Sequence, residues 1–311
     1  MDVFDDWRLV PARAHGSTLA LGAFDGLHLG HVAVLQAAHV ARPEARLAVA
    51  AFEPPPKCYF AGPDAPPFRL NTPRLRAQRA ADVGAQIMFS IAFDAAMAAM
   101  HAEDFVRDVI AFALAPVHVT VGHDFAFGAG RQGDGELLGR MGRDLGFGVT
   151  IVPPVLDHSG IRYSSTRVRE AIKAGHLAMV TTLLGRPWRV EGIVVDGQKR
   201  GRTVGFPTAN IYLHDQLAPR FGVYAVRVNI VGEAAWYSGV ANFGRTPTTG
   251  LREPLLEVNL FDFDGDLYGK RLEVGLHAFL RAEMKFDGFD ALVVQIAKDA
   301  GEARTILSVI P

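Results

Sequence analysis

The chain has 311 residues, one cysteine and a formal net charge of −1. That length suits two domains with sizeable cores, and the near-neutral balance gives no electrostatic reason to expect nucleic acid or an anionic membrane surface as the main partner. The single Cys58 excludes an internal disulfide and reads as a small core hydrophobe. The start, MDVFDDWRLVPARAHG, is acidic and lacks a signal-peptide apolar region, and no run of about 18 apolar residues is present to span a bilayer. A soluble cytoplasmic protein is expected.

Along the first part of the chain, short apolar runs alternate with helical patterns. TLALGAF (18–24), LAVAAFE (47–53), IMFSIAF (87–93), VHVTVGH (117–123) and VTIVPPV (149–155) read as strands ending in turn formers. Between them, VAVLQAAHVA (32–41) reads as a helix. AEDFVRDVIAFAL (102–114) does too, with Phe105, Val109 and Phe112 at helical spacing, and STRVREAIKAG (165–175) is a helix closed by Gly175. This alternation predicts right-handed crossovers and a parallel sheet with helices on both faces, the Rossmann-like arrangement. Ligands of such sheets bind beyond the carboxyl ends of the strands.

The rhythm changes near LLGRPWRV, where Gly185 and Pro187 break the preceding helix. RVEGIVVDG, ANIYL, GVYAVRVNI, AAWYSGVANFG, LLEVNLFDF and KRLEVGLHAFL follow as strand-like runs with no helix between them. They predict a compact antiparallel barrel or sandwich. A final amphipathic helix places Phe289, Leu292, Val293 and Ile296 on one face. The expected domains are 1–184 and 185–311.

The chemistry-bearing stretch of the first half is GAFDGLHLGH, residues 22–31, at a strand-to-helix junction. Zinc ligation by His28 and His31 needs a third ligand, and no HExxH or Cys/His pair accompanies them. Packing explains either histidine alone more easily than both in one turn. Donation to phosphate at a helix N-terminus, where free N–H groups and a positive dipole end already lie, explains both. The segment then reads as a nucleotide site.

The His-x-Gly-His spacing resembles the first signature of the nucleotidyltransferase superfamily, and SSTRVR (164–169) resembles its second, a Ser/Thr/Arg cluster at a helix start. On its own, SSTRVR reads as a helix N-cap by Ser165. VGHDFAFGAGRQGD (121–134) resembles the VGxDFxFG loop of prokaryotic FAD synthetases, and FEPPP (52–56) their FEPHP element, with Pro55 in place of the histidine. GRTVGFPTAN (201–210) resembles the riboflavin kinase signature. GVYAVRV, GVANFG, LEVNLFDFDGDLYG and LRAEMKF follow in the order of that domain's later blocks. GRTPT (244–248) stands where many relatives read GTRPT, which leaves the role of Arg245 open. The likeness to the bifunctional riboflavin kinase/FMN adenylyltransferase family covers about residues 15–305.

That resemblance implies two ATP- and magnesium-dependent steps, riboflavin to FMN and FMN to FAD. In the adenylyltransferase half it implies His28, His31 and Arg169 as catalytic donors. Gly22, Phe24, Asp25, Ser165 and Thr166 line the ATP site, and Asp124 and Phe125 lie beside the flavin. In the kinase half it implies Gly201 at ATP, Thr208 and Asn210 at ATP and magnesium, Glu257 as the base for the riboflavin 5′-hydroxyl, and Arg281 at the flavin. Without the resemblance, GQKRGRTVG reads as a charged hairpin turn, and Glu257 faces solvent or a site with solvent favoured by pattern. The three prolines 54–56 are expected to stiffen their loop toward an extended shape. The alternatives are a kinase whose adenylyltransferase half is weakened by Pro55, and a flavin-binding regulator without turnover.

Overall fold

A computed structural model describes residues 1–196, 208–245 and 254–310. The chain divides into two compact units. Unit 1 is Met1–Pro66 with Pro73–Ser165, and unit 2 is Pro67–Thr72 with Thr166–Pro311.

Unit 1 is a six-stranded parallel sheet. The strands are β1 (Asp2–Phe4), β2 (Thr18–Leu21), β3 (Leu47–Glu53), β4 (Ile87–Ala92), β5 (His118–Gly122) and β6 (Gly148–Val152), in the order β1-β4-β3-β2-β5-β6. The helices are α1 (Leu29–Ala41), α2 (Pro56–Ala61), α3 (Pro73–Asp82), α4 (Ala95–Ala99), α5 (Ala102–Asp104, running on as a π-helical stretch Phe105–Leu114) and α6 (Gly135–Leu145). Strand residues alternate between two apolar layers, as a pleated sheet covered on both faces requires. Leu19, Leu21, Ala48 and Ala50 pack against Val106, Val109, Ile110 and Leu138, whereas Ala20, Val49 and Ala51 pack against Val34, Leu35, Ala38 and Ala80.

The π-helical stretch corrects one expectation. Phe105 and Val109 are buried, but Phe112 is 83% exposed. Bonding of the i→i+5 type, visible where Ala115 N donates to Ile110 O at 2.9 Å, shifts the apolar face to Val106, Ile110 and Leu114.

Unit 2 holds α7 (Ser165–Ala174, its first residue belonging to unit 1), α8 (Leu177–Leu184), a closed antiparallel barrel and α9 (Phe289–Ser308). Gly175 and Gly185, both at positive φ, end α7 and α8. The barrel strands are β7 (Trp188–Val195), β8 (Ala209–Tyr212), β9 (Gly222–Ile230), β10 (Trp236–Gly244), β11 (Leu255–Leu260) and β12 (Arg271–Arg281), closed in the order β10-β11-β8-β7-β12-β9. Closure leaves no free sheet edge. Helix α9 covers one side through Ala300, Ala303 and Leu307, which cluster with Val223, Ala225, Val240 and Phe261. Here too an expectation shifts: Phe289 is exposed and Leu292, Val293 and Ile296 are half-buried, so the second half of the helix carries the docking face.

The segment Pro67–Thr72 is built into this unit. Trp188 Nε1, fully buried, donates to Leu70 O at 2.7 Å, Leu217 N donates to Arg69 O at 2.7 Å, and the Thr72 hydroxyl bonds buried Glu191.

Candidate active sites

In unit 1 the chain turns toward β3 after β2 but toward β6 after β5, although β2 and β5 are neighbours. Diverging connections of this kind open a crevice at the carboxyl ends of the two strands. The loop after β2 carries the histidine pair, and the loop after β5 carries Asp124 and Phe125.

The first loop is tightly bent. Phe24 (φ 46°), Gly26 (φ 86°) and Leu27 (φ 44°) all lie in the left-handed region, and Phe24 and Leu27 are fully buried. Two non-glycine residues held there cost backbone energy that burial must offset. Their rings and chains join the core layer beneath α1. His28 then caps α1: its Nδ1 accepts from His31 N–H at 3.3 Å, which leaves Nε2 to carry the proton of the neutral ring. The two imidazoles stack with centroids 3.7 Å apart, and the edge of Phe24 meets His31 at 5.3 Å. Gly30 makes this possible, because a Cβ there would sit 3.1 Å from the His28 ring and 3.3 Å from Tyr163 Cβ. Gly22 lies against the Phe24 ring in the same way. Buried Asp25 presents its carbonyl to Ser165, whose Oγ donates at 2.8 Å. Ser165 is therefore the first helical residue tying two signatures together, rather than the expected N-cap. Among the described residues, no group of three His, Cys, Asp or Glu side chains is placed to share a metal ion.

Asp124 is exposed and ion-paired to Arg162 at 3.0 Å, while Phe125 stacks on Phe127 at 5.5 Å. At the end of β3, Glu53 pairs with buried Arg76 at 2.9 Å. The proline run stays extended at Pro55 (φ −55°, ψ 139°) and ends at Pro56. Pro55 is buried, and its carbonyl accepts from Cys58 N at 2.8 Å and Tyr59 N at 3.1 Å, so Pro56 opens α2. Proline at the first helical position loses no hydrogen bond, which is why the third proline is tolerated there. Lys57 is exposed, and Cys58 is half-buried rather than a core residue. Sequence reasoning missed an aromatic cluster here: Tyr59, Phe60 and Phe93 meet edge to face at 5.3–5.7 Å, and Phe60 is 69% exposed. Its signal was YF in α2 and the Phe93 that ends IMFSIAF, residues from separate segments.

Thr166 and Arg169 lie on α7 within unit 2. The Arg169 guanidinium stacks over the Phe68 ring at 3.6 Å, and its Nε donates to Phe68 O at 3.0 Å.

In the barrel, register assembles the second group. Glu257 on β11 lies opposite Asn210 on β8 and opposite Asn242 on β10. Directly opposed residues share a face, and Asn242 in turn opposes Val223, which packs under α9. Asn210, Glu257 and Asn242 thus form one row on the helix-bearing face of the wall. Glu257 is half-buried, and its carboxyl is pushed above the usual carboxylate range, first by burial and then by the charge of Glu283. The reading of Glu257 as a solvated strand residue does not hold. On the other face of β11, Val258 and Leu260 join Val194, Thr208, Ala209, Phe263 and the loop Asp264–Tyr268 around a cavity of about 340 Å³. Gly201 and the rest of the basic loop 197–207 lie outside the described residues. Arg281 makes a bidentate pair with Asp299 of α9, at 2.6–3.1 Å, and donates to Ala282 O at 3.0 Å.

Comparison with known proteins settles the family. A riboflavin kinase model matches residues 184–307, and an FAD synthetase model matches residues 10–167. The bifunctional riboflavin kinase/FMN adenylyltransferase of Escherichia coli K12 is 41% identical over 299 residues, covering 95% of this chain and 94% of that protein. This chain belongs to the bifunctional riboflavin kinase/FMN adenylyltransferase family. The Bacillus subtilis protein of the same description is 36% identical over 296 residues, covering 92% and 91%. A crystal structure described as a macrolide-efflux protein from Streptococcus pneumoniae matches with a TM-score of 0.83 at 32% identity, over 97% of this chain and 98% of that one. Among the described residues of this family member, no helix is long and apolar enough to cross a membrane.

Proposed function

We propose that the chain phosphorylates riboflavin in residues 185–311 and adenylylates the resulting FMN in residues 1–184, acting in the cytoplasm. The observation that carries this reading is the pairing of two unlike sites in one chain. One is a histidine-capped helix start at the crevice of a parallel sheet; the other is a carboxylate flanked by amides on a barrel wall.

In the kinase step the riboflavin 5′-hydroxyl oxygen bonds to the γ-phosphorus of ATP, the bond to ADP breaks, and Glu257 takes the hydroxyl proton. Burial and the nearby charge of Glu283 raise its pKa above the ordinary carboxylate value, which makes it a stronger proton acceptor than a solvated carboxylate. Thr208 and Asn210 offer a hydroxyl and an amide oxygen, hard donors of the kind magnesium accepts alongside phosphate oxygens. When bound with ATP, magnesium supplies neutralisation of the phosphate charge. The cavity beside Thr208, with apolar walls and the carboxylates of Asp264 and Asp266, suits a nucleoside.

In the second step an FMN phosphate oxygen bonds to the α-phosphorus of another ATP and pyrophosphate leaves. No protein nucleophile is needed. His28 Nε2–H and the His31 ring act as donors where charge develops, and the positive end of the α1 dipole adds to them. Gly22, Phe24 and Asp25 shape the nucleotide side of the crevice. Thr166 and Arg169 are assigned to the triphosphate on the family resemblance. The exposed faces of Tyr59, Phe60 and Phe93, and Asp124 and Phe125 on the loop after β5, offer the isoalloxazine an aromatic surface.

Purified protein incubated with riboflavin and magnesium-ATP, followed by chromatography, tests the reading. FMN followed by FAD is expected. FMN alone points to the kinase with a weakened second half, and no product points to a binding regulator.

A further inference from the structure

Resting on the kinase reading of the barrel face, a second carboxylate there has no role in the steps above. Glu283 follows the last residues of β12 and is exposed. Its carboxylate sits directly over Gly244, so that a side chain at Gly244 would collide with it. Gly244 is two residues along β10 from Asn242 and opposes Leu255, itself two residues from Glu257. Residues two apart on a strand share a face. The slot left by the missing Gly244 side chain therefore lies diagonal to Glu257, on the face that carries Asn210, Glu257 and Asn242. The charge of Glu283 reaches Glu257, which agrees with this placement.

The position is held from behind. Arg281 is clamped to Asp299 and donates to the carbonyl of Ala282, the residue immediately before Glu283, and Gln295 supports Asp299 at 2.7 Å. Among the described residues the Glu283 carboxylate itself takes part in no hydrogen bond or ion pair. An ionised carboxylate accepts several hydrogen bonds and donates none. A carboxylate on the face that carries these two amides, diagonal to the group that must meet a terminal hydroxyl, suits a chain of hydroxyls leading up to that hydroxyl.

We infer that Glu283 is a substrate-contacting residue that accepts hydrogen bonds from the inner ribityl hydroxyls of riboflavin, so selecting flavins with a polyhydroxylated side chain. Arg281 is its positioning residue.

The test uses the full chain with magnesium-ATP and two flavins. One is riboflavin; the other carries a straight alkyl chain of the same length ending in the single hydroxyl to be phosphorylated. Glu283→Gln removes the charge, and Gly244→Ala takes the slot. In both variants KM for riboflavin should rise about tenfold with little change in kcat, the effect of losing one charge-assisted hydrogen bond. KM for the single-hydroxyl flavin should stay at its wild-type value, and conversion of supplied FMN to FAD should be unchanged. An unaltered KM for riboflavin in both variants, or an equal rise for both flavins, overturns the inference. Glu257→Gln separates the two levels of the argument. If that variant phosphorylates riboflavin at the wild-type rate, the kinase face is misassigned and the inference falls with it. If it is inactive and Glu283→Gln does not distinguish the flavins, only the role of Glu283 falls.

Discussion

In unit 1 the histidine pair follows a loop bent through three left-handed backbone positions; in unit 2 Asn210, Glu257 and Asn242 sit on neighbouring strands of the barrel. The loop fixes its histidines locally. A cap, a ring stack and a glycine whose Cβ would press on the His28 ring fix His28 and His31 together. The barrel wall instead fixes Glu257 by register, between Asn210 and Asn242, which lie far apart in the sequence. Contiguous strain leaves a motif in the sequence, whereas register leaves single residues scattered over several segments.

The largest effect that tests this contrast is expected from His31→Ala. Removing a donor from developing charge typically costs about 10²–10³ in rate. FAD formation from supplied FMN should fall by that amount while riboflavin phosphorylation is untouched, as product chromatography will report. Glu257→Gln should do the converse, slowing FMN formation by about 10²-fold with adenylylation of supplied FMN intact. Loss of both activities in either variant breaks the separation.

A smaller effect is expected at Pro55. The residue is buried and offers no side-chain donor, its carbonyl being used to start α2. Pro55→His should speed FAD formation from supplied FMN by about tenfold, the worth of one hydrogen bond to a charged group. No change, together with severe loss in Lys57→Ala, would show that Lys57 already supplies that contact.

The smallest effect concerns stability. His277, on β12, has its pKa lowered from 6.5 to about 4, first by burial and then by Arg227 and Arg189. The folded state disfavours the charged ring, so its contribution is complete above pH 6.5 and is lost as pH falls toward about 4. The melting temperature should decline over that window, and His277→Gln should flatten the decline. An identical pH profile for the variant would remove His277 as a cause.

Much of the architecture was legible. β-branched and aromatic runs marked the five longer strands of the sheet and all six of the barrel, because burial on both faces or on alternate faces leaves a plain apolar pattern. The edge strand Asp2–Phe4 was not, being three residues long. Helix α6 passed unnoticed despite its Asp134 cap, bonded to Leu137 N at 2.8 Å, and Gly146 at positive φ. The π-helical stretch defeated the 3.6-residue count that placed Phe112 inside. Of the candidate residues, His28 and His31 stood out on their own chemistry. Glu257 did not: flanked by Leu256 and Val258, it looks like any solvated strand residue until its cross-strand partners are known. Glu283 lies within LRAEMKF without standing out from its neighbours, and the Tyr59–Phe60–Phe93 cluster is assembled from separate segments.

The central claim is a division of labour between two sites in one chain. Mixing His31→Ala with Glu257→Gln, each expected to form FAD from riboflavin about 10²-fold or more slower than wild type on its own, measures it most directly. With riboflavin and magnesium-ATP, the first variant should release FMN and the second should adenylylate it, so FAD should accumulate far faster in the mixture than with either variant alone. A mixture that forms no FAD, while the first variant makes FMN and the second makes FAD from supplied FMN, would contradict transfer of free FMN between independent sites.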